Sequence, residues 1–237
     1  LSDHALDTMP FAGPDMGKAD QAFARAMGGG APDAEALEHY QTAVLVGLGG
    51  IYDRLGWTQQ YHIGAMRNAN TSMFGRFGPD TGFDALSDAP VGEKLAKLLD
   101  AQEREGTLPK TILYTLNPGA NYALAVIAGS FQGGTPGKVQ FGSAWWFVDQ
   151  LDGMREQVTT LASVGALGTF VGMLTDSRSF TSYPRHEYFR RLLCDIVGGW
   201  VERGEYPAGE PALETIVRGI CYENALGYFA FPEKRGK

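Results

Sequence analysis

Apolar and polar positions along the chain switch repeatedly between a helical period and short buried runs. From Ala36 to Leu55, apolar residues recur at spacings of three and four after Asp33, which predicts a helix with a side-chain cap at its start. The segment from Trp57 to Ile63 is short and bounded by glycines, so we predict a strand that carries His62 near its far end. Residues 64–88 are rich in Asn, Gly and Asp and are predicted to form a long loop.

The same alternation continues to the end of the chain, giving four strand-helix units. Each strand is almost continuously apolar, which favours parallel pairing with helices on both faces of the sheet. The fold class predicted for residues 1–237 is therefore α/β and a single domain, namely the C-terminal half of a (β/α)8 barrel of the TIM type, about strands 4/5 to 8. An open Rossmann sheet competes, but no GxGxxG follows a strand. The later strands are predicted at Thr111–Leu116, Lys138–Gly142 and Thr169–Leu174, and the later helices at Leu95–Glu105, Asn121–Phe131, Asp149–Val164, Glu187–Glu202 and Leu213–Phe231.

The composition and net charge of the chain limit the kinds of molecule that it could bind. With 27 acidic against 20 basic residues, the net charge of -7 argues against nucleic acid or an anionic membrane surface. A small anionic substrate would then need a local cation. The two cysteines, Cys194 and Cys221, lack disulfide or zinc-site spacing, and neither a signal peptide nor an apolar run of ~18 residues is present, so we expect a cytoplasmic protein.

Residues able to carry chemistry follow the predicted strands. Asp176 and Arg178 are two apart, so both side chains point to one side if the strand extends this far. An Asp there could ligate a divalent metal or move a proton, and an Arg could grip a carboxylate, although an ordinary ion pair is the simpler alternative. Such residues gather where parallel strands end, and this is where TIM barrels and open α/β sheets place their sites.

The other candidate residues also have simpler structural explanations. His62 could ligate a metal or only form a structural hydrogen bond, while Arg67 lies in a loop that could close on a polar ligand or serve local capping. Trp145 directly follows a strand and could form an apolar wall against a sugar ring. Among the remaining histidines, His39 is expected on a helix surface. Three arginines, Arg185, Arg190 and Arg191, are expected to pair with Glu187 on a solvated helix face.

Several collinear segments together resemble the uronate isomerase family of the amidohydrolase superfamily. The resemblance covers essentially the whole chain and is more specific than any single motif. The segments are Gln60 to Gly64 with Arg67 to Thr71, Gly78 to Asp84, Leu108 to Thr111 through Asn117-Pro118, Gly137 to Gly142 with Trp145 to Phe147, and Leu174 to Phe180 with Arg185 to Arg191.

That resemblance implies a metal-dependent (β/α)8 enzyme that interconverts D-glucuronate with D-fructuronate, or D-galacturonate with D-tagaturonate. It implies that Asp176 and His62 bind a divalent metal, zinc first and manganese as the alternative. It also implies that Arg178, Trp145 and Arg67 contact the hexuronate, with Asp176 and Arg178 as the catalytic pair. A homo-oligomer without a nucleic-acid or membrane partner is expected.

The resemblance is to roughly the second half of such an enzyme. The family's strand-one His-x-His pair, its His-Tyr pair and a further Arg have no counterpart in the 237 residues, so we expect the isolated chain to be inactive and to need the N-terminal half of the barrel. Two alternatives stay open: a hydrolase of the same superfamily acting through metal-bound hydroxide, and a non-catalytic half barrel that associates with another chain.

Overall fold

The computed structural model describes residues 1–177 and 179–230. Within those ranges, no helix combines the length and apolar character needed to cross a membrane. The strands are β1 (Ser2–Leu6), β2 (Gln59–Ile63), β3 (Ala65–Met66), β4 (Ala85–Leu86), β5 (Thr111–Thr115) and β6 (Val139–Phe141). The helices are α1 (Met16–Met27), α2 (Ala34–Leu55), α3 (Thr71–Phe77), α4 (Gly92–Arg104), α5 (Asn121–Ser130), α6 (Leu151–Val164), α7 (Arg185–Glu202), α8 (Glu210–Arg218) and α9 (Asn224–Phe229).

The chain divides into two compact units, Leu1–Ile112 and Leu113–Lys237, and the division falls inside β5. In the first unit, β1 pairs in parallel with β2, and the start of β5 is the next neighbour of β2. In the second unit, the rest of β5 has β6 as its neighbour. The α/β fold with a parallel sheet is thereby confirmed. The single-domain prediction and the barrel itself stay predictions.

Helix α2 shows why the sequence pattern identified the main elements. The Asp33 side chain accepts a hydrogen bond from the Ala36 N–H at 2.9 Å, which satisfies a donor that the first helical turn leaves unpaired. At the other end Gly56 adopts φ 66°, a left-handed conformation that glycine reaches without steric cost. Both ends of the predicted helix are therefore confirmed.

The region predicted as one long loop, residues 64–88, is partly ordered, so that prediction was wrong. It contains the antiparallel pair β3 and β4, with Ala65 opposite Leu86, and the short helix α3. The Asn70 side chain caps α3 by accepting from the Met73 N–H at 3.1 Å. A seven-residue helix and two-residue strands are too short to produce a visible period in the sequence.

The strand predicted at Thr169–Leu174 is also wrong, since the chain from Phe170 to Ser177 is irregular. Several of its backbone groups bond to side chains of β6, of the residues after β6 and of α9, where Asn224 donates to Phe170 O at 2.8 Å. The Gln140 amide donates to Thr169 O at 3.1 Å and accepts from Val171 N at 3.2 Å, and Ser143 Oγ accepts from Leu174 N at 3.1 Å. The apolar pattern therefore predicted correctly that this segment is buried, but it did not predict how its backbone is hydrogen-bonded.

Two elements at the start of the chain were not predicted, and one helix near its end differs. Strand β1 was missed because it is short and carries Asp3 and His4 among its five residues. Helix α1, with 12 residues, was missed as well. The helix predicted over Leu213–Phe231 consists of α8, a π-helical turn at Gly219–Glu223 and α9. Phe231 lies outside the described residues.

Candidate functional site

The direction of the His62 side chain follows from its strand neighbours. Gln59 donates to Gln102 Oε1 on α4 at 3.0 Å, and the Tyr61 ring lies against His4, which in turn hydrogen-bonds Tyr52 on α2. Residues 59 and 61 therefore face the helices. Because side chains alternate along a strand, His62 points to the opposite face of β2, close to its carboxyl end.

Asp3 orients the His62 ring. His62 is only 6% exposed, and its Nδ1 lies 2.5 Å from Asp3 Oδ1 on the neighbouring strand. A carboxylate that accepts from one ring nitrogen fixes the tautomer and leaves the other nitrogen as the electron-pair donor, an arrangement common for metal-binding histidines. Sequence reasoning missed Asp3 because it did not identify β1. The Asp-His dipeptide there gave no sign that the strand pairs with β2.

The other histidines are held in structural contacts. His39 was predicted on a helix surface, but it is 7% exposed, so that prediction was wrong. Its ring contacts Gly13 O at 3.1 Å through Nδ1 and the Lys18 ammonium at 3.1 Å through Nε2. Burial lowers the pKa of His4 and, together with the Arg190 charge, that of His186. These two imidazoles are therefore held towards their neutral forms.

Arg67 takes part in a local charge cluster. Its guanidinium donates to Asp84 Oδ2 at 2.8 Å and approaches Asp80 Oδ1 at 3.4 Å. The other Asp84 oxygen accepts from the Asn68 N–H at 2.7 Å, and this bond and the Arg67 charge hold the pKa of Asp84 below its ordinary value. Acidic partners thus fix the position of the Arg67 guanidinium. This arrangement is consistent with a cation that binds a ligand and equally with a purely structural ion pair.

Trp145 lies in an aromatic run directly after β6. Its ring is 6.0 Å from that of Trp146, which stacks on Phe147 with centroids 4.7 Å apart. Trp146 adopts φ 49°, an uncommon conformation for a bulky residue. Trp145 is half-buried, so part of its surface remains available to a ligand.

Asp176 is exposed and adopts φ 42°, again a left-handed conformation. Since the chain here is not a strand, the argument from two-residue alternation does not apply to it. Arg178, the other half of the predicted pair, lies outside the described residues. A left-handed non-glycine residue is often found at functional sites, because surrounding contacts must compensate for its cost.

The prediction for the three arginines of α7 is confirmed for one of them and wrong for another. Arg191 pairs with Glu187 at 2.7 Å on the exposed face, as predicted. Arg185 is instead only 18% exposed and forms an ion pair with Asp149. It also donates to Thr175 O at 2.5 Å, immediately before Asp176.

The candidates divide between the two units. His62 and Arg67 belong to the first, and Trp145 and Asp176 to the second. In the part of the chain that the structure describes, no three His, Cys, Asp or Glu side chains form a group suited to a metal ion.

Comparison with known proteins identifies the class to which this fold and these residues belong. A family model described as glucuronate isomerase matches residues 1–229, and the chain belongs to that family.

Among curated relatives, it is 56% identical to the uronate isomerase of Edwardsiella ictaluri and 53% identical to that of Serratia proteamaculans, each over 231 residues. These alignments cover 97% of this chain and 49% of each relative, so the chain spans about half their length.

Two solved structures extend the comparison to the fold. The Thermotoga maritima uronate isomerase matches with a TM-score of 0.86 at 32% identity, over 97% of this chain and 49% of that one. The Caulobacter crescentus glucuronate isomerase matches with a TM-score of 0.84 at 23% identity, over 98% and 47% respectively, and shows the fold alone.

Proposed function

We propose that the protein interconverts aldose and ketose forms of a hexuronate. Its curated relatives are named uronate isomerases. The observation that carries the proposal is the family match over residues 1–229 together with 56% identity to a uronate isomerase. Both relatives are named as isomerases, so we do not propose the hydrolase alternative. The whole-protein fold that we propose is the (β/α)8 barrel, of which this chain supplies about half.

Isomerisation requires removal of a proton from the carbon beside the carbonyl, its return to the neighbouring carbon, and stabilisation of the enediolate between these steps. A bound divalent metal, zinc or manganese, supplies electrophilic stabilisation of the substrate oxygens. Imidazole nitrogen and carboxylate oxygen are suitable donors for either ion. His62 fits this role because Asp3 already orients its ring.

We assign further roles to four of the chain's own residues. Asp176 holds the metal and accepts a proton, and its exposed carboxylate is accessible for both tasks. Arg178 grips the substrate carboxylate and so fixes which carbon faces the base. Trp145 provides an apolar wall for the sugar carbons. Arg67 contributes a second cation, which an acidic protein needs in order to bind an anionic substrate.

Replacing Asp176 by Asn in the full-length gene product tests the proposal. Uronate isomerisation, measured as formation of the keto acid, should fall by orders of magnitude, because the amide is a poorer metal ligand and cannot accept the proton. Asp195→Asn is the matched control, since Asp195 is an exposed carboxylate of the second unit that pairs with Arg155 on the protein surface. Near-normal turnover in Asp176→Asn would remove Asp176 from the mechanism, and absence of isomerisation in the unmodified protein would refute the function.

A further inference from the structure

The chain leading to Asp176 is held by side chains rather than by strand pairing. Gln140 bonds the backbone of Thr169 and Val171, and Ser143 Oγ accepts from Leu174 N. The series ends at Thr175 O, which accepts from the Arg185 guanidinium at 2.5 Å. Arg185 therefore makes the contact nearest to Asp176 in this series.

Arg185 is well suited to hold a backbone carbonyl. Its side chain is 18% exposed and its second guanidinium nitrogen pairs with Asp149, itself 26% exposed. Burial alone would lower the pKa of Arg185, but the hydrogen bond to Tyr188 and the Asp149 charge outweigh it and raise that pKa. A charge-assisted bond in a partly desolvated setting is stronger and more directional than a neutral one.

The backbone at Asp176 needs such support. Its φ of 42° lies in the left-handed region, which residues with a side chain seldom adopt unless surrounding contacts hold them there. Arg185 fixes the peptide on one side, through Thr175 O. On the other side, Ser177 Oγ donates to Ser182 O at 3.0 Å.

We infer that Arg185, oriented by Asp149, is a positioning residue that holds Asp176 in its left-handed conformation and thereby directs its carboxylate towards the metal and substrate. The inference rests on the proposed function of Asp176. Asp149 also lies just after the aromatic run of Trp145, so the same ion pair joins the two segments of this unit that carry proposed site residues. Arg185 itself is not assigned a contact with substrate.

The experiment compares Arg185→Gln with Arg191→Gln in the full-length gene product. Both residues lie on α7 and both form ion pairs, but only Arg185 bonds the segment before Asp176. Amide hydrogen exchange of residues 171–177 should accelerate at least about tenfold in Arg185→Gln and stay unchanged in Arg191→Gln. Apparent affinity for zinc, measured by competition with a chromophoric chelator, should fall about 10- to 100-fold in Arg185→Gln, the usual loss when a ligand's supporting partner is removed.

Two further variants test the role of Asp149 and guard against misfolding of Arg185→Gln. Arg185→Lys keeps the charge but cannot reproduce the planar fork, so an intermediate loss of zinc affinity is expected. Asp149→Asn should act only through Arg185. The double variant Asp149→Asn/Arg185→Gln should therefore be no weaker in zinc affinity than Arg185→Gln alone.

Several outcomes overturn the inference. Zinc affinity and exchange rates in Arg185→Gln within twofold of those in Arg191→Gln would refute the positioning role. If Arg185→Gln does not fold, wild-type values of both quantities in Arg185→Lys and Asp149→Asn would refute it equally. Full additivity in the double variant would refute the coupling to Asp149. If Asp176→Asn keeps its zinc affinity and its turnover, the proposed role of Asp176 fails, whereas a loss in Asp176→Asn without one in Arg185→Gln refutes only this inference.

Discussion

Replacing Gln59 by Leu tests whether the hydrogen-bond network on the helix-facing side of β2 stabilises the first unit. Gln59 is fully buried, and its amide nitrogen donates to Gln102 Oε1 at 3.0 Å and to Thr111 Oγ1 at 2.9 Å. Its amide oxygen accepts from the Tyr61 hydroxyl at 3.0 Å. Leucine has similar bulk but cannot take part in any of these three bonds.

The magnitude follows from the groups left without a partner. Gln102 Oε1 loses its donor and the Tyr61 hydroxyl loses its acceptor, while Thr111 still donates to Pro109 O at 2.9 Å. Each buried polar group deprived of its partner costs ~1–3 kcal/mol, so Gln59→Leu should lower the free energy of unfolding by ~2–6 kcal/mol. Tyr61→Phe leaves only one such group, Gln59 Oε1, and should cost about half as much.

Urea unfolding of the full-length gene product, monitored by circular dichroism, measures the loss of stability in both variants. The loss is calculated from the shift in the urea midpoint, provided that the dependence of the unfolding free energy on urea concentration is unchanged. Gln41→Leu is the control, because Gln41 is exposed on α2 and its replacement should change stability by less than ~0.5 kcal/mol. A midpoint for Gln59→Leu equal to that of the control would refute the reasoning. So would a Tyr61→Phe loss larger than that of Gln59→Leu.

Two other changes have expected results of different kinds. Gly172→Ala should lower the melting temperature by several degrees, because Gly172 has a φ of 81° and an added Cβ would lie 2.3 Å from Ile220 O. Gly168→Ala is the control and should not lower it, because a Cβ at Gly168 would meet nothing within 4 Å. The pKa of Asp84 is lowered in the folded protein, so its ionised carboxylate stabilises the loop at pH values above the ordinary carboxyl pKa. This stabilisation is lost as the pH falls through the lowered pKa of Asp84. The Asn68 amide chemical shift should therefore titrate with a midpoint below ~3.9, and a midpoint at or above this would contradict the contact.

Local patterns predicted most of the longer elements, with helix α1 as the exception. Helix α2 is the clearest example, since its apolar spacing, its Asp33 cap and its terminal Gly56 all lie within one short stretch of chain. Strand β5 was predicted as a buried apolar run followed by turn residues, and β2 as a short segment bounded by glycines. The family resemblance, carried by collinear motifs, was likewise visible without coordinates and is confirmed.

The errors share a physical cause. The apolar segment after Thr169 looks like a strand because burial and strand formation leave the same pattern. Its backbone groups bond instead to side chains that include Gln140, Ser143 and Asn224. Arg185 looked like its solvated neighbour Arg191 because both lie on one charged helix. Its burial depends on Asp149, 36 residues away in the chain.

The sequence by itself therefore determined the α/β alternation, both ends of helix α2 and the family, since these depend on interactions between residues close along the chain or on motifs in fixed order. Tertiary structure alone decided that Asp3 orients His62, that Asp84 holds Arg67 and that Arg185 fixes the backbone before Asp176. Each of these contacts joins residues at least ten positions apart in the chain, and a hydrogen bond or ion pair depends on distances that only packing sets.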